Sequence, residues 1–121
     1  MATTDMTDMR VSVNRALQVL EVFRAIDPDM PMGTAVSFLL IATGETPDGG
    51  LTITELSKQG DFALSSASRY VQALAEQDRH RRPGFELVHQ VTDLMERRRK
   101  LLKLTPKGRR VVNQIRNAIG A

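Results

Sequence analysis

Apolar residues recur at helical spacing from Val11 to Ile26: Val13, Leu17, Leu20 and Phe23 form a stripe that Ala16, Val19 and Ile26 widen. Asp27-Pro28-Asp29 ends this first helix, because proline has no N–H to give and restricts the residue before it. Residues 1–10 mix Thr, Asp and Met without a basic-then-apolar order, which reads as a flexible leader and not as a secretory signal. Pro31 opens a second helix that runs to about Thr43, and Val36, Leu39 and Leu40 make it apolar enough to imply burial. Gly44 to Gly50, with Pro47 and Asp48-Gly49-Gly50, is a loop.

A third helix begins at a capping box: Thr52 and Glu55 stand three apart just before Leu56, the spacing that satisfies otherwise orphan N–H groups. Gly60 stops it, and a fourth helix follows from about Leu64 to Gln77 with Ala67, Tyr70, Val71 and Leu74 inward. Two short helices separated by a few residues have helix-turn-helix spacing. Beyond Asp78, Arg79 to Arg82 are almost all basic and Pro83-Gly84 signals a turn. Phe85 to Thr92 and Arg98 to Thr105 predict two strands of a hairpin, with Asp93 to Arg97 at the tip. Leu94-Met95 sits awkwardly inside that tip. Thr105-Pro106 is a strong helix start, a cap residue with proline at the first helical position. The last helix runs to about Ile119 with Val111, Val112, Ile115 and Ala118 apolar. The order predicts a mainly α fold with a small β-hairpin wing, a winged helix-turn-helix. Residues 11–121 read as one domain, with a DNA-binding unit at about 34–110 and flanking helices at 11–26 and 106–119.

A length of 121 residues allows one modest core. No apolar run reaches the roughly 18 residues that span a bilayer. There is no cysteine, which excludes disulfides and thiolate metal sites and fits a cytoplasmic location. The net charge of +3 hides an asymmetry: residues 1–60 carry four basic and eight acidic side chains, residues 61–121 thirteen basic and six acidic. One half therefore suits a polyanion. Catalytic chemistry is missing. His80 and His89 are the only histidines and have no second ligand at metal-site spacing, and Gly44 to Gly50 lacks the lysine of a phosphate-cradling loop. No enzyme activity and no cofactor are expected.

Residues 36–110 resemble the MarR family of winged-helix regulators in four stretches. VSFLLIATGE resembles the helix leading into the DNA-binding unit, LTITELSKQG the first helix of the helix-turn-helix, FALSSASRYVQAL the recognition helix, and MERRRKLLKLTPKGRR the second wing strand running into the next helix. The resemblance implies binding to double-stranded DNA as a transcriptional regulator, commonly a repressor, and leaves room for a small-molecule effector for which no residue here argues. The family usually carries an aspartate two residues before a wing arginine; here Glu96 stands before Arg98.

With the apolar face of the fourth helix inward, Ser65, Ser66, Ser68, Arg69 and Gln72 point outward. These types suit the major groove: Arg grips guanine O6 and N7, Gln grips adenine N6 and N7, and Ser serves bases or phosphates. The wing offers Arg97, Arg98, Arg99 and Lys100. Neighbours on a hairpin point to opposite faces, so all four cannot reach one groove. The resemblance assigns Arg98 to the minor groove, and Arg97 and Lys100 are better placed for phosphates. Arg79, Arg81, Arg82 and Lys107 are further candidates for phosphate contacts. Regulators of this architecture bind paired half-sites, so a two-fold homodimer is expected. Val13, Leu17 and Leu20 on the first helix and Val112, Ile115 and Ile119 on the last are candidates for its interface, the last three serving equally well as core. The alternative function is a winged-helix protein-interaction or assembly module. It would be expected to show large apolar residues where Ser65, Ser66, Ser68, Arg69 and Gln72 stand.

Overall fold

A computed structural model describes residues 2–75 and 83–120. Its elements are α1 (Ala2–Ile26), α2 (Met32–Gly44), α3 (Ile53–Gly60), α4 (Leu64–Leu74), β1 (Val88–Thr92), β2 (Lys100–Leu104) and α5 (Pro106–Ile119). They fall into two compact units, residues 31–109 and residues 1–30 with 110–121.

In the unit of residues 31–109, α2 packs on α3, α4 and β2. Phe38, Ile41, Leu56, Ala67, Leu74, Leu87 and Leu102 are fully buried there, with Val71 and Val88 nearly so. Burial of such side chains stabilises by about 1.5–3 kcal/mol each relative to exposure. Local chemistry fixes the helix ends. The capping box forms as the spacing predicts: the Glu55 amide donates to Thr52 Oγ1 at 3.1 Å, and the Thr52 amide donates to Glu55 Oε1 at 3.0 Å. The turn between α3 and α4 closes through Asp61, which adopts the left-handed conformation, and through the Ser57 hydroxyl donating to the Phe62 carbonyl at 2.8 Å. A Cβ at position 60 would collide with the Phe62 ring, so Gly60 lets that ring fold back. Thr105 caps α5, accepting from the Gly108 amide at 3.0 Å.

The wing is a two-stranded antiparallel hairpin in which Val88 pairs with Leu104 and Thr92 with Lys100. Its base is tied down on one side by the Leu102 amide donating to the Leu51 carbonyl at 2.7 Å. On the other side the 45–50 loop is locked: Lys103 Nζ donates to the Thr46 and Gly49 carbonyls, and the half-buried Glu45 accepts from the Leu104 amide.

Three expectations are corrected. The first strand begins at Val88 and not at Phe85, because the Phe85, Glu86 and Leu87 amides donate to the Ala73, Ala75 and Leu74 carbonyls at the end of α4. The same contacts end α4 at Leu74, short of Gln77, and Ala75 is extended. The second strand begins at Lys100, so Arg98 and Arg99 belong to a longer tip.

In the other unit, α1 is helical from Ala2 to Ile26. Met6 and Met9 lie seven and four residues before Val13, so they continue the same helical stripe backward. Phe23 and Val111 are buried in this unit.

Candidate nucleic-acid interface

Helix α4 presents one face to solvent. Ser65 and Arg69 are exposed, and Ser66, Ser68 and Gln72 are half-buried, while Ala67, Val71 and Leu74 go into the core. Tyr70 is only half-buried and stacks edge-on against Phe62, with ring centroids 5.1 Å apart. Arg69 Nη2 donates to Ser66 Oγ at 3.3 Å, a weak contact that orients the guanidinium along the helix and leaves its other donors open. Among the described residues Ser65, Ser68 and Gln72 make no side-chain hydrogen bond. The N-cap of α4 is Ala63, and no side chain caps it. The serines are therefore not caps, and no side chain satisfies the first-turn N–H groups of α4, where the helix dipole favours an anion.

The wing arginines divide by environment. Arg99 is engaged: Nη2 lies 3.2 Å from Glu55 Oε1 and Nε 4.0 Å from Asp93 Oδ2. Its backbone closes the tip, the Arg99 amide donating to the Glu96 carbonyl and the Asp93 amide to the Arg99 carbonyl. Glu55 thus has two tasks, capping α3 and holding the wing. Hydrogen bonds from the Thr52 amide and hydroxyl hold its carboxyl below the usual carboxylate range; burial opposes them, and Arg99 adds a weaker lowering effect. Lys100 Nζ donates to Thr92 Oγ1 at 2.9 Å. Arg97 and Arg98 are exposed and make no side-chain hydrogen bond or ion pair among the described residues. Thr52, Thr54, Gln90, Arg98 and Lys100 line an open groove of about 620 Å³ between the start of α3 and the wing.

Of the remaining candidates, Lys107 is exposed on the first turn of α5, whereas its neighbour Arg109 is committed to Glu45, 3.2 Å away. Arg79, Arg81 and Arg82 lie outside the described residues. Val13, Leu17 and Leu20 are exposed on α1, Ile119 is exposed on α5, and Val112 and Ile115 are half-buried. Glu55 and Asp93 as partners of Arg99 were not foreseen. Glu55 and Arg99 stand 44 residues apart, and nothing in the local pattern joins them. Among the described residues no group of acidic or histidine side chains is placed to hold a metal ion, and no helix is long and apolar enough to cross a membrane.

No protein-family model matches the sequence, and no curated protein is similar to it by sequence. Solved structures are similar in fold. MepR of S. aureus bound to ethidium bromide superposes with a TM-score of 0.68 at 16% identity, over 96% of this chain and 74% of that one. The S. aureus MepR–DNA complex superposes with a TM-score of 0.63 at 21% identity, over 99% of this chain and 84% of that one. RV1404 from Mycobacterium tuberculosis gives 0.63 at 19% identity, over 99% and 75% of the two chains. MepR is a regulator of the MarR family. The chain has the winged helix-turn-helix fold of MarR-family regulators.

Proposed function

We infer that the protein is a sequence-specific regulator of transcription that binds double-stranded DNA as a two-fold homodimer and acts as a repressor by occupying its site. The observation that carries this reading is the outer face of α4. It is polar, lacks large apolar side chains over Ser65 to Gln72 apart from the half-buried Tyr70, and starts at an uncapped helix end in the basic half of the chain. The fold shared with MepR, solved with DNA, supports it. Arg69 and Gln72 read base edges in the major groove, and Ser65, Ser66 and Ser68 serve phosphates or bases. Arg98 reaches the minor groove, and Arg97, Lys100 and Lys107 meet phosphates. Arg99 holds the wing in place through Glu55 instead of touching DNA.

The dimer reading rests on α1. From Met6 to Gln18 every residue is exposed, and Met6, Met9, Val13 and Leu17 follow one another along a single stripe. A helix with that much bare surface is marginal in water and gains stability by packing on a second copy. Ile115 and Ile119 of α5 extend the same interface.

The test is fluorescence anisotropy of a labelled random duplex titrated with protein over a range of salt concentrations. Affinity should fall steeply and linearly in log–log form as salt rises, because several phosphates are neutralised. Absence of binding at low salt would overturn the reading and favour a protein-interaction module.

A further inference from the structure

We propose that Leu94 and Met95 form an apolar wedge at the tip of the wing that enters the minor groove of bound duplex DNA and bends it, an inference that rests on the DNA-binding reading above. The two side chains are 89% and 94% exposed, the most exposed of the large hydrophobic residues among the described ones. Hairpin tips normally carry Gly, Asn, Asp or Ser. Two adjacent large apolar side chains there lose favourable hydration and gain no packing within the chain.

The tip is held, so the pair is presented at a fixed place. The Met95 amide donates to Asp93 Oδ1 at 2.9 Å, the Arg99 amide to the Glu96 carbonyl at 2.9 Å, and the Asp93 amide to the Arg99 carbonyl at 3.0 Å. The Asp93 side chain is turned inward, 16% exposed, with its carboxylate facing Arg99. Arg97 and Arg98 follow the pair after Glu96, and neither arginine has an acidic partner among the described residues. Residues 93–100 carry four basic and two acidic side chains, and one of the two acids is the inward Asp93.

An exposed apolar pair with free guanidinium groups close by is the chemistry by which minor-groove proteins open a base step. Arg97 holds a phosphate beside the step, Arg98 lies in the groove, and a Leu or Met side chain slips between bases and kinks the duplex toward the major groove. Charge complementarity selects a polyanion over a protein surface as the occupant. The two free arginines, two and three residues beyond Met95, would oppose docking on an ordinary apolar patch, whereas on DNA they add to the affinity.

The test uses the full chain and a random-sequence duplex of about 30 base pairs, well below the persistence length of DNA. The duplex carries a donor and an acceptor dye at its ends, and anisotropy follows occupancy in the same samples. Saturation with the wild-type protein should raise energy transfer, reporting a shorter end-to-end distance. The double variant Leu94→Ala/Met95→Ala should fold normally by circular dichroism, since neither side chain packs. It should bind the duplex with less than about a tenfold loss, because most of the affinity comes from phosphate contacts. Its rise in energy transfer at saturation should be at most half that of the wild type. Equal bending by the two proteins, or no bending by the wild type, overturns the wedge and returns the tip to a protein-docking role. No binding by the wild type overturns the DNA reading itself, and the anisotropy channel reports that separately from bending.

Discussion

Helices α1 and α2 both carry apolar stripes, yet they meet opposite fates. On α2, Phe38 and Ile41 are wholly buried against α3, α4 and β2. On α1, Val13 is 65% and Leu17 52% exposed. Helical periodicity states that a face needs cover; it does not say who supplies it. In α2 the cover comes from the same chain, brought there by the capping box of α3 and the tight turn into α4. In α1, from Met6 to Gln18, it does not, and the free energy of covering that face remains available for association.

The sharpest way to break this comparison is truncation on the two stripes. Phe38→Ala removes a ring from a fully enclosed site and should cost about 3–5 kcal/mol of folding stability, at any protein concentration. Urea denaturation followed by circular dichroism reads it. A loss below about 1 kcal/mol would mean that the α2 core is loosely packed or collapses around the gap.

Leu17→Ala should behave differently. It should leave the urea midpoint of the dilute protein within about 0.5 kcal/mol of wild type, because an exposed side chain contributes little to the monomer. It should weaken self-association by about 1.5–3 kcal/mol for each Leu covered in the dimer. Sedimentation equilibrium at micromolar protein decides the matter. A wild-type chain that sediments as a monomer throughout would show that the stripe on α1 serves something other than a second copy.

The same contrast, between what a local pattern states and what the partner decides, separates the legible parts of this sequence from the illegible ones. The Thr52–Glu55 box, the Thr105-Pro106 start and three of the four residues expected inward on α4 (Ala67, Val71 and Leu74) are all local and were readable from spacing; the fourth, Tyr70, is only half-buried. The recognition face follows from that inward set by subtraction. The start of β1 was not readable. Phe85 to Leu87 have strand composition, but their amides are taken by the last carbonyls of α4, and Glu86 adopts a left-handed backbone in doing so. The division among the wing arginines was equally hidden. Four consecutive basic residues look alike in sequence, and Arg99 is set apart from Arg98 by the carboxylates of Glu55, 44 residues away, and of Asp93.

A smaller effect tests the recognition face. Arg69→Ala should weaken binding to a duplex selected from a random library by about 1–3 kcal/mol, the discrimination carried by a good bidentate base contact, while sparing binding to random duplex. Competition anisotropy with the two duplexes separates these. Equal losses on both would make Arg69 a phosphate ligand, and loss of folding would give it a structural role.

The smallest effect concerns Glu55. Its carboxyl is held below the usual range first by the Thr52 amide and hydroxyl and then by Arg99. A carboxylate with a depressed folded-state value stabilises the fold above its unfolded value, about pH 4, and that contribution is lost as pH falls through the folded value. Glu55→Gln keeps an oxygen that can accept from the Thr52 amide and removes only the charge. Because the Glu55 and Arg99 side chains are 45% and 43% exposed, solvent screening limits the charge contribution to less than about 1 kcal/mol at pH 7. The stability gap between wild type and Glu55→Gln should therefore be small at neutral pH and close as pH falls below about 4. In the variant the wing also loses its ionic tie to α3, so the energy-transfer change on DNA binding should become more variable between duplexes while the urea midpoint scarcely moves. A gap that persists unchanged to pH 3 would show that the cap geometry alone matters, and that the wing takes its position from the Leu51–Leu102 hydrogen bond instead of from Arg99.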